Sequence, residues 1–169
     1  MLQPEAMDDE QRRLHSRMSG GPRGHVAGPL ALWLHRPPFC EHAERLGVFC
    51  RFGSTLSKLQ PEIVVLAVAH SWRSEFVATV HKNWAVDAGL SSDQVESILA
   101  GEPAAGLARA DAALHEFARQ LFETGRADQA IYAEALECLG QDCIFDMIGL
   151  VGYYTMMSMT ANIFQVDCV

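Results

Sequence analysis

From residue 29 onward the chain repeats its apolar residues at helical spacing, and no stretch alternates with period two for long enough to build a sheet. That pattern dictates an all-α fold. Residues 29–36 (PLALWLHR) read as a short apolar helix or turn stopped by Pro37 and Pro38, and 38–52 as a helix with Phe39, Leu46 and Phe49 recurring along it. Pro61 sits where a first helical turn tolerates a missing N–H, so PEIVVLAVAH (61–70) reads as a buried helix despite its β-branched content. Helices follow over 74–89, ended by Gly89, and over 91–101, opened by Ser91 and Gln94 in capping-box spacing and closed by Gly101. Residues 107–124 align Leu107, Ala110, Leu114, Phe117 and Leu121 on one face, and Gly125 ends that helix. Asp128 caps 129–139, a break falls at Gly140, and a long apolar helix runs over 141–163.

The 169 residues are enough for one domain with a real core. Residues 1–22 read as a mobile N-terminal tail, running into the Gly- and Pro-rich GGPRG (20–24), ahead of a single domain over 23–169. The first residues carry no apolar stretch of the kind a signal peptide needs, and five cysteines without a CxxC pair do not form a secreted disulfide framework, so a cytoplasmic location with free thiols is expected. The apolar stretch 144–163 has the length of a membrane span, but Asp146 lies near one end and no Lys or Arg anchors either flank. It reads as a core or subunit-interface helix, with no membrane partner.

Thirteen Lys and Arg against twenty-one Asp and Glu give a formal charge of −8, which argues against a nucleic-acid partner. Eight of the cations (Arg12, Arg13, Arg17, Arg23, Arg36, Arg45, Arg51 and Lys58) fall within residues 1–60. A small anionic substrate therefore finds most of its partners in the first third of the chain, with the stretch from Arg36 to Lys58 the expected place.

Among seven histidines, His81 stands out. It lies in a helix beside Phe76, Val77, Val80 and Trp84, with Glu62 and Glu75 nearby in the chain. A buried imidazole next to a carboxylate makes a proton donor or acceptor; the alternative is a core histidine satisfied by one hydrogen bond. His35, Cys40 and His42 lie close in sequence, but no further pair completes a metal-ligand set, so no metal is expected. GGPRG is neither a Walker A nor a dinucleotide fingerprint, and the methionines Met147, Met156, Met157 and Met159 read as packing. No cofactor is expected.

The segment PEIVVLAVAHSWRSEFVATVHKNWAVDAGLSSDQVESI (61–98) resembles the carboxymuconolactone decarboxylase family of the alkylhydroperoxidase D-like superfamily. The family pattern is a Glu opening one helix, a loop, a second helix carrying a His, an A-x-x-x-G-L turn and a short capped helix; Glu62, His81, Ala85, Gly89 and Leu90 match it. The likeness extends over 23–56 and 150–164. It implies an all-α array of about six to eight helices, a homotrimer or homohexamer, and cofactor-independent lyase chemistry of the kind used in aromatic-compound breakdown. In that chemistry His81 is the general acid, Glu62 or Glu75 orients it, Arg51 clamps the substrate's carboxylate, and Trp72, Phe76 and Trp84 line the pocket. The superfamily's peroxidases carry a CxxC pair where this chain has Ser74 and Val77, so a dithiol mechanism of that kind is excluded. The decarboxylase pattern S-E-(Y/F)-E-W is kept at Ser74, Glu75 and Phe76 but replaced at Val77 and Ala78. The alternative reading is therefore a peroxidase-fold relative without the dithiol, serving as a non-redox binding or structural protein.

Overall fold

A computed structural model describes residue 2 and residues 4–167. A 3-10 turn, Pro4–Ala6, precedes α1 (Asp9–Ser19), α2 (Pro29–Trp33) and α3 (Pro37–Val48), which runs into a π-helical turn, Phe49–Gly53. Then come α4 (Gln60–Trp72), α5 (Glu75–Ala88), α6 (Ser92–Ala100), α7 (Arg109–Thr124) and α8 (Gln129–Ile163). The class is all-α, with eight α-helices and no strand among the described residues.

Helix α4 is the axis. Every residue from Gln60 to Ala69 is buried, and the helix packs against α5, α6, α7 and α8. A helix apolar on all sides has to sit in the middle of its neighbours. Fully burying Ile63, Val64, Val65, Leu66 and Val68 contributes about 1.5–3 kcal/mol apiece, enough to override the weak helix propensity of β-branched residues. Arg73 ends α4 in the left-handed region (φ 47, ψ 45). Its N–H donates to the His70 carbonyl and that of Ser74 to the Ala69 carbonyl, turning the chain sharply into α5.

The helix punctuation follows the sequence closely. The Ser91 hydroxyl accepts from the Gln94 N–H (3.2 Å) while the Gln94 side chain accepts from the Ser91 N–H (2.9 Å). Asp128 accepts from the N–H groups of Ala130 and Ile131 at the head of α8. Gly140 breaks α8 with φ 79 and ψ 166, a conformation essentially confined to glycine. Beyond it the stretch 144–163 is a core helix, with Met147, Leu150, Tyr153, Tyr154 and Met157 buried. Asp146 is held there by the Thr55 N–H (2.6 Å) and hydroxyl (2.8 Å). No helix among the described residues is long and apolar enough to cross a membrane.

Two expectations change. The mobile tail placed over 1–22 contains α1, which is capped by an Asp8–Gln11 capping box and buries Leu14 and Met18 in the core. Polar residues dominate that segment, and two apolar side chains one turn apart suffice to dock it. The second change is in α3. Phe39, Leu46 and Phe49 are exposed, and the buried face is Cys40, Ala43, Glu44 and Gly47. These small residues let α3 approach α1 and α8, while Glu44 is matched by Arg17 at 3.3 Å. The helix expected to continue to 52 widens into the π-helical turn at Phe49.

The space around Gly140 is open, so only backbone strain opposes a side chain there. Gly140→Ala should lose roughly 1–3 kcal/mol of stability. Gly152→Ala, also in open space but inside the regular part of α8, should gain about 0.5–1 kcal/mol. Urea unfolding of the two variants checks both signs.

Candidate active site

Three side chains from three elements form one hydrogen-bonded chain. Glu62, in the first turn of α4, accepts at Oε1 from Arg51 Nη1 (2.7 Å) and faces His81 Nδ1 with Oε2 (2.7 Å). Glu62 and His81 are 3% and 4% exposed, so the carboxylate is removed from water and depends on these two partners and on the α4 N-terminus. Arg51 is delivered by the π-helical turn, and such turns often mark functional positions.

The surrounding aromatics fix the ring. Trp84, one turn beyond His81 on α5, meets the imidazole edge-on at 4.9 Å, and Tyr154 of α8 does so at 5.0 Å. The Arg51 guanidinium lies 5.5 Å over the Trp84 ring. His81 therefore has little rotational freedom, and its Nε2 has no hydrogen-bond partner among the described residues.

Burial is the largest influence on His81 and pushes its pKa below the ordinary imidazole value of 6.5. Glu62 opposes that shift, and the positive charges of Arg51 and Arg23 add to it. For Glu62, burial acts upward but is outweighed by His81 and Arg51, which hold the carboxyl below the ordinary carboxylate range. At neutral pH the pair is an ionised carboxylate and a neutral imidazole. The Nδ1–H donates to Glu62, and the lone pair is left on Nε2.

His81 lines a cavity of about 130 Å³ together with Arg23, Phe76, Val80, Trp84, Tyr154 and Met157. That is smaller than the roughly 300–1,000 Å³ of pockets for drug-sized ligands and suits a small molecule. On the other side of Trp84, Arg51 and Glu62 line a separate cleft with Lys58 and Asp87. Among the described residues no three His, Cys, Asp or Glu side chains converge as a metal would require.

Of the residues singled out in the sequence, the structure brings together His81, Glu62, Arg51, Phe76 and Trp84. It leaves Glu75 and Trp72 elsewhere. Glu75 is exposed at the start of α5 and lines a different cleft with Arg73 and Lys82. Six residues from His81, it falls on another face of the same helix. Trp72 closes α4 on the far side of the turn, its Nε1 donating to Thr155 Oγ1 (3.2 Å). Arg51 is also placed differently from a free substrate clamp, because Glu62 occupies one of its nitrogens.

The cavity's own cation is Arg23, which sequence reasoning missed. It sits in the loop between α1 and α2, where no periodicity fixes a side chain's direction; the charge distribution counted it among the cations of the first third but pointed to the stretch from Arg36 to Lys58 instead. Tyr154 was hidden inside a segment that reads as packing. Ser74, at the N-cap of α5, has a buried hydroxyl that lacks a hydrogen-bond partner among the described residues, and Val77 is buried. The cysteines Cys40, Cys50, Cys138 and Cys143 are unpaired, and Cys168 lies outside the described residues.

No protein-family model matches the sequence, and no curated protein matches it. The fold is similar to that of an uncharacterized peroxidase-related protein from Silicibacter sp. TM1040, with a TM-score of 0.78 and 15% identity over 95% of this chain and 85% of that one. It is also similar to an alkylhydroperoxidase AhpD core, an uncharacterized peroxidase-related protein from Ralstonia eutropha JMP134, with a TM-score of 0.77 and 14% identity over 97% and 86%. The architecture is thus the all-α fold of AhpD-like, peroxidase-related proteins.

His81 and His115 are both buried with depressed pKa values. Each therefore favours the folded state above the unfolded value of 6.5 and costs stability as pH falls from there through its folded value. Chemical unfolding between pH 7.5 and 5 should show falling stability, and His81→Gln and His115→Gln should each flatten that slope.

Proposed function

We propose that the protein is a cofactor-independent lyase that decarboxylates a small cyclic carboxylate, with His81 as the acid–base group. The carboxymuconolactone decarboxylase resemblance suggests the reaction type. The observation that carries the reading is the Arg51–Glu62–His81 chain, which ends on an imidazole nitrogen without a partner among the described residues, at the wall of a small cavity.

The chemistry asks for one proton. In a carboxylated lactone conjugated to its carbonyl, the bond to the carboxylate breaks, CO₂ leaves, and the electron pair moves into the ring system as an enolate. The His81 imidazolium donates its Nε2 proton to carbon and returns to the neutral ring. Water restores the proton, so each turnover consumes one from the medium. Glu62 is a positioning residue that holds the tautomer and stabilises the imidazolium while it exists, as the third member of a catalytic triad does. Arg51 keeps Glu62 ionised. The depressed basicity of His81 makes its protonated form a stronger acid, though a less populated one at neutral pH.

A binding or structural role on the same fold would suit a closed, apolar surround for His81. The cavity and its Arg23 cation favour the lyase reading instead. A dithiol peroxidase reading lacks its sulfur atoms, since Ser74 and Val77 stand at the two positions.

Carboxylated lactones and β-keto acids screened for CO₂ release supply the test. A turned-over substrate should show kcat falling as pH rises through a value below 6.5, because the acid form is being lost. His81→Gln should reduce kcat by roughly 10²–10⁴-fold while leaving the fold intact. Glu62→Gln removes the charge that raises the imidazole's pKa, so it should move the pH limb lower as well as slowing turnover. Full activity in His81→Gln would reject the role.

A further inference from the structure

We propose that Arg23 is the anion-binding residue of the His81 cavity and selects small carboxylates over neutral molecules of the same shape. This builds on the His81-centred reading by naming what holds the ligand's negative end.

Arg23 is built into its position. Its Nη2 donates to the Tyr153 hydroxyl (3.2 Å), and the guanidinium carbon lies 5.7 Å from the centre of the Tyr153 ring. Gly47 of α3 makes room for that pair: a Cβ there would lie 2.4 Å from the Tyr153 hydroxyl and 2.5 Å from Arg23 Nη2. A glycine in mid-helix costs stability, and this close approach is a physical reason for one. Two other elements, α3 and α8, thus hold a loop arginine against the cavity wall.

What Arg23 lacks is an anion. No carboxylate pairs with it among the described residues, whereas Arg17, Arg51, Arg109 and Arg119 each have one. Its Nε–H is buried without any hydrogen-bond partner. That Nε is closed to solvent, so a ligand in the cavity meets the guanidinium at its Nη end instead, where Nη1 has no partner among the described residues and a planar carboxylate can bridge the two nitrogens. Phe76, Val77, Val80 and Met157 give the lining an apolar side that suits the ring of a small cyclic acid, while His25, His81 and Tyr154 add polar groups.

The test is calorimetric titration of the full chain with 2-furoate, a five-membered-ring carboxylate, and with neutral furfuryl alcohol. Furoate should bind, and furfuryl alcohol should bind much more weakly. Arg23→Gln should weaken furoate roughly 10- to 100-fold, the loss of a charge-assisted bidentate contact. Arg23→Lys, which keeps the charge without the fork, should fall between the two and serves if the glutamine variant does not fold. The titration reads binding without turnover, so the anion-binding assignment and the lyase reading fail separately. Absence of furoate binding to the unmodified protein, equal affinity in the Arg23 variants, or equal affinity for the neutral alcohol would each overturn the assignment.

Discussion

A single buried carboxylate organises this molecule's centre. Glu62 is almost wholly removed from water, a cost of several kcal/mol for an uncompensated ion, and two bonds of 2.7 Å from different elements compensate it. The π-helical turn, α4 and α5 are tied together at that one side chain. Removing either partner strands a charge beside the all-apolar axis of α4. The site and the core are therefore not separable features: the helix that buries Ile63, Val64 and Val65 is the one that presents Glu62 at its first turn.

That arrangement sets the character of His81. A histidine on an exposed helix would titrate near its ordinary value and swing freely. Here burial lowers its basicity, Glu62 selects the tautomer, and Trp84 and Tyr154 hold the plane of the ring. The result is a rigidly held imidazole beside a small cavity, with one nitrogen that no described residue engages. The fold is shared with AhpD-like proteins at 14–15% identity, a level at which architecture is common and chemistry has to be argued from the side chains.

Much of the architecture was legible because helix ends leave local marks. Pro61, the Ser91–Gln94 box, Gly101, Gly125, Asp128 and Gly140 each act within a turn of their own position, and each sits where its chemistry is needed. The His81–Glu62 pairing was half legible. Two carboxylates lay near the histidine in sequence; helical spacing puts Glu75 on another face of α5, while the meeting of Glu62 with His81 depends on how α4 packs against α5. The face of α3 was not legible, since the large residues Phe39, Leu46 and Phe49 dominate its periodicity while the small Cys40, Ala43 and Gly47 dominate its packing. Arg23 was missed for a related reason. A loop carries no period, and the features that aim this side chain, Gly47 and Tyr153, lie 24 and 130 residues away in the chain.

The protonation state of one ring tests the account most directly. Long-range proton–nitrogen NMR spectra of the protein labelled with ¹⁵N-histidine distinguish the two neutral tautomers from the imidazolium. At pH 7, His81 should be neutral with its proton on Nδ1, and it should titrate below 6.5. A His81 that is protonated at both nitrogens at pH 7, or that carries its proton on Nε2, would contradict the Glu62-anchored imidazole with its lone pair toward the cavity.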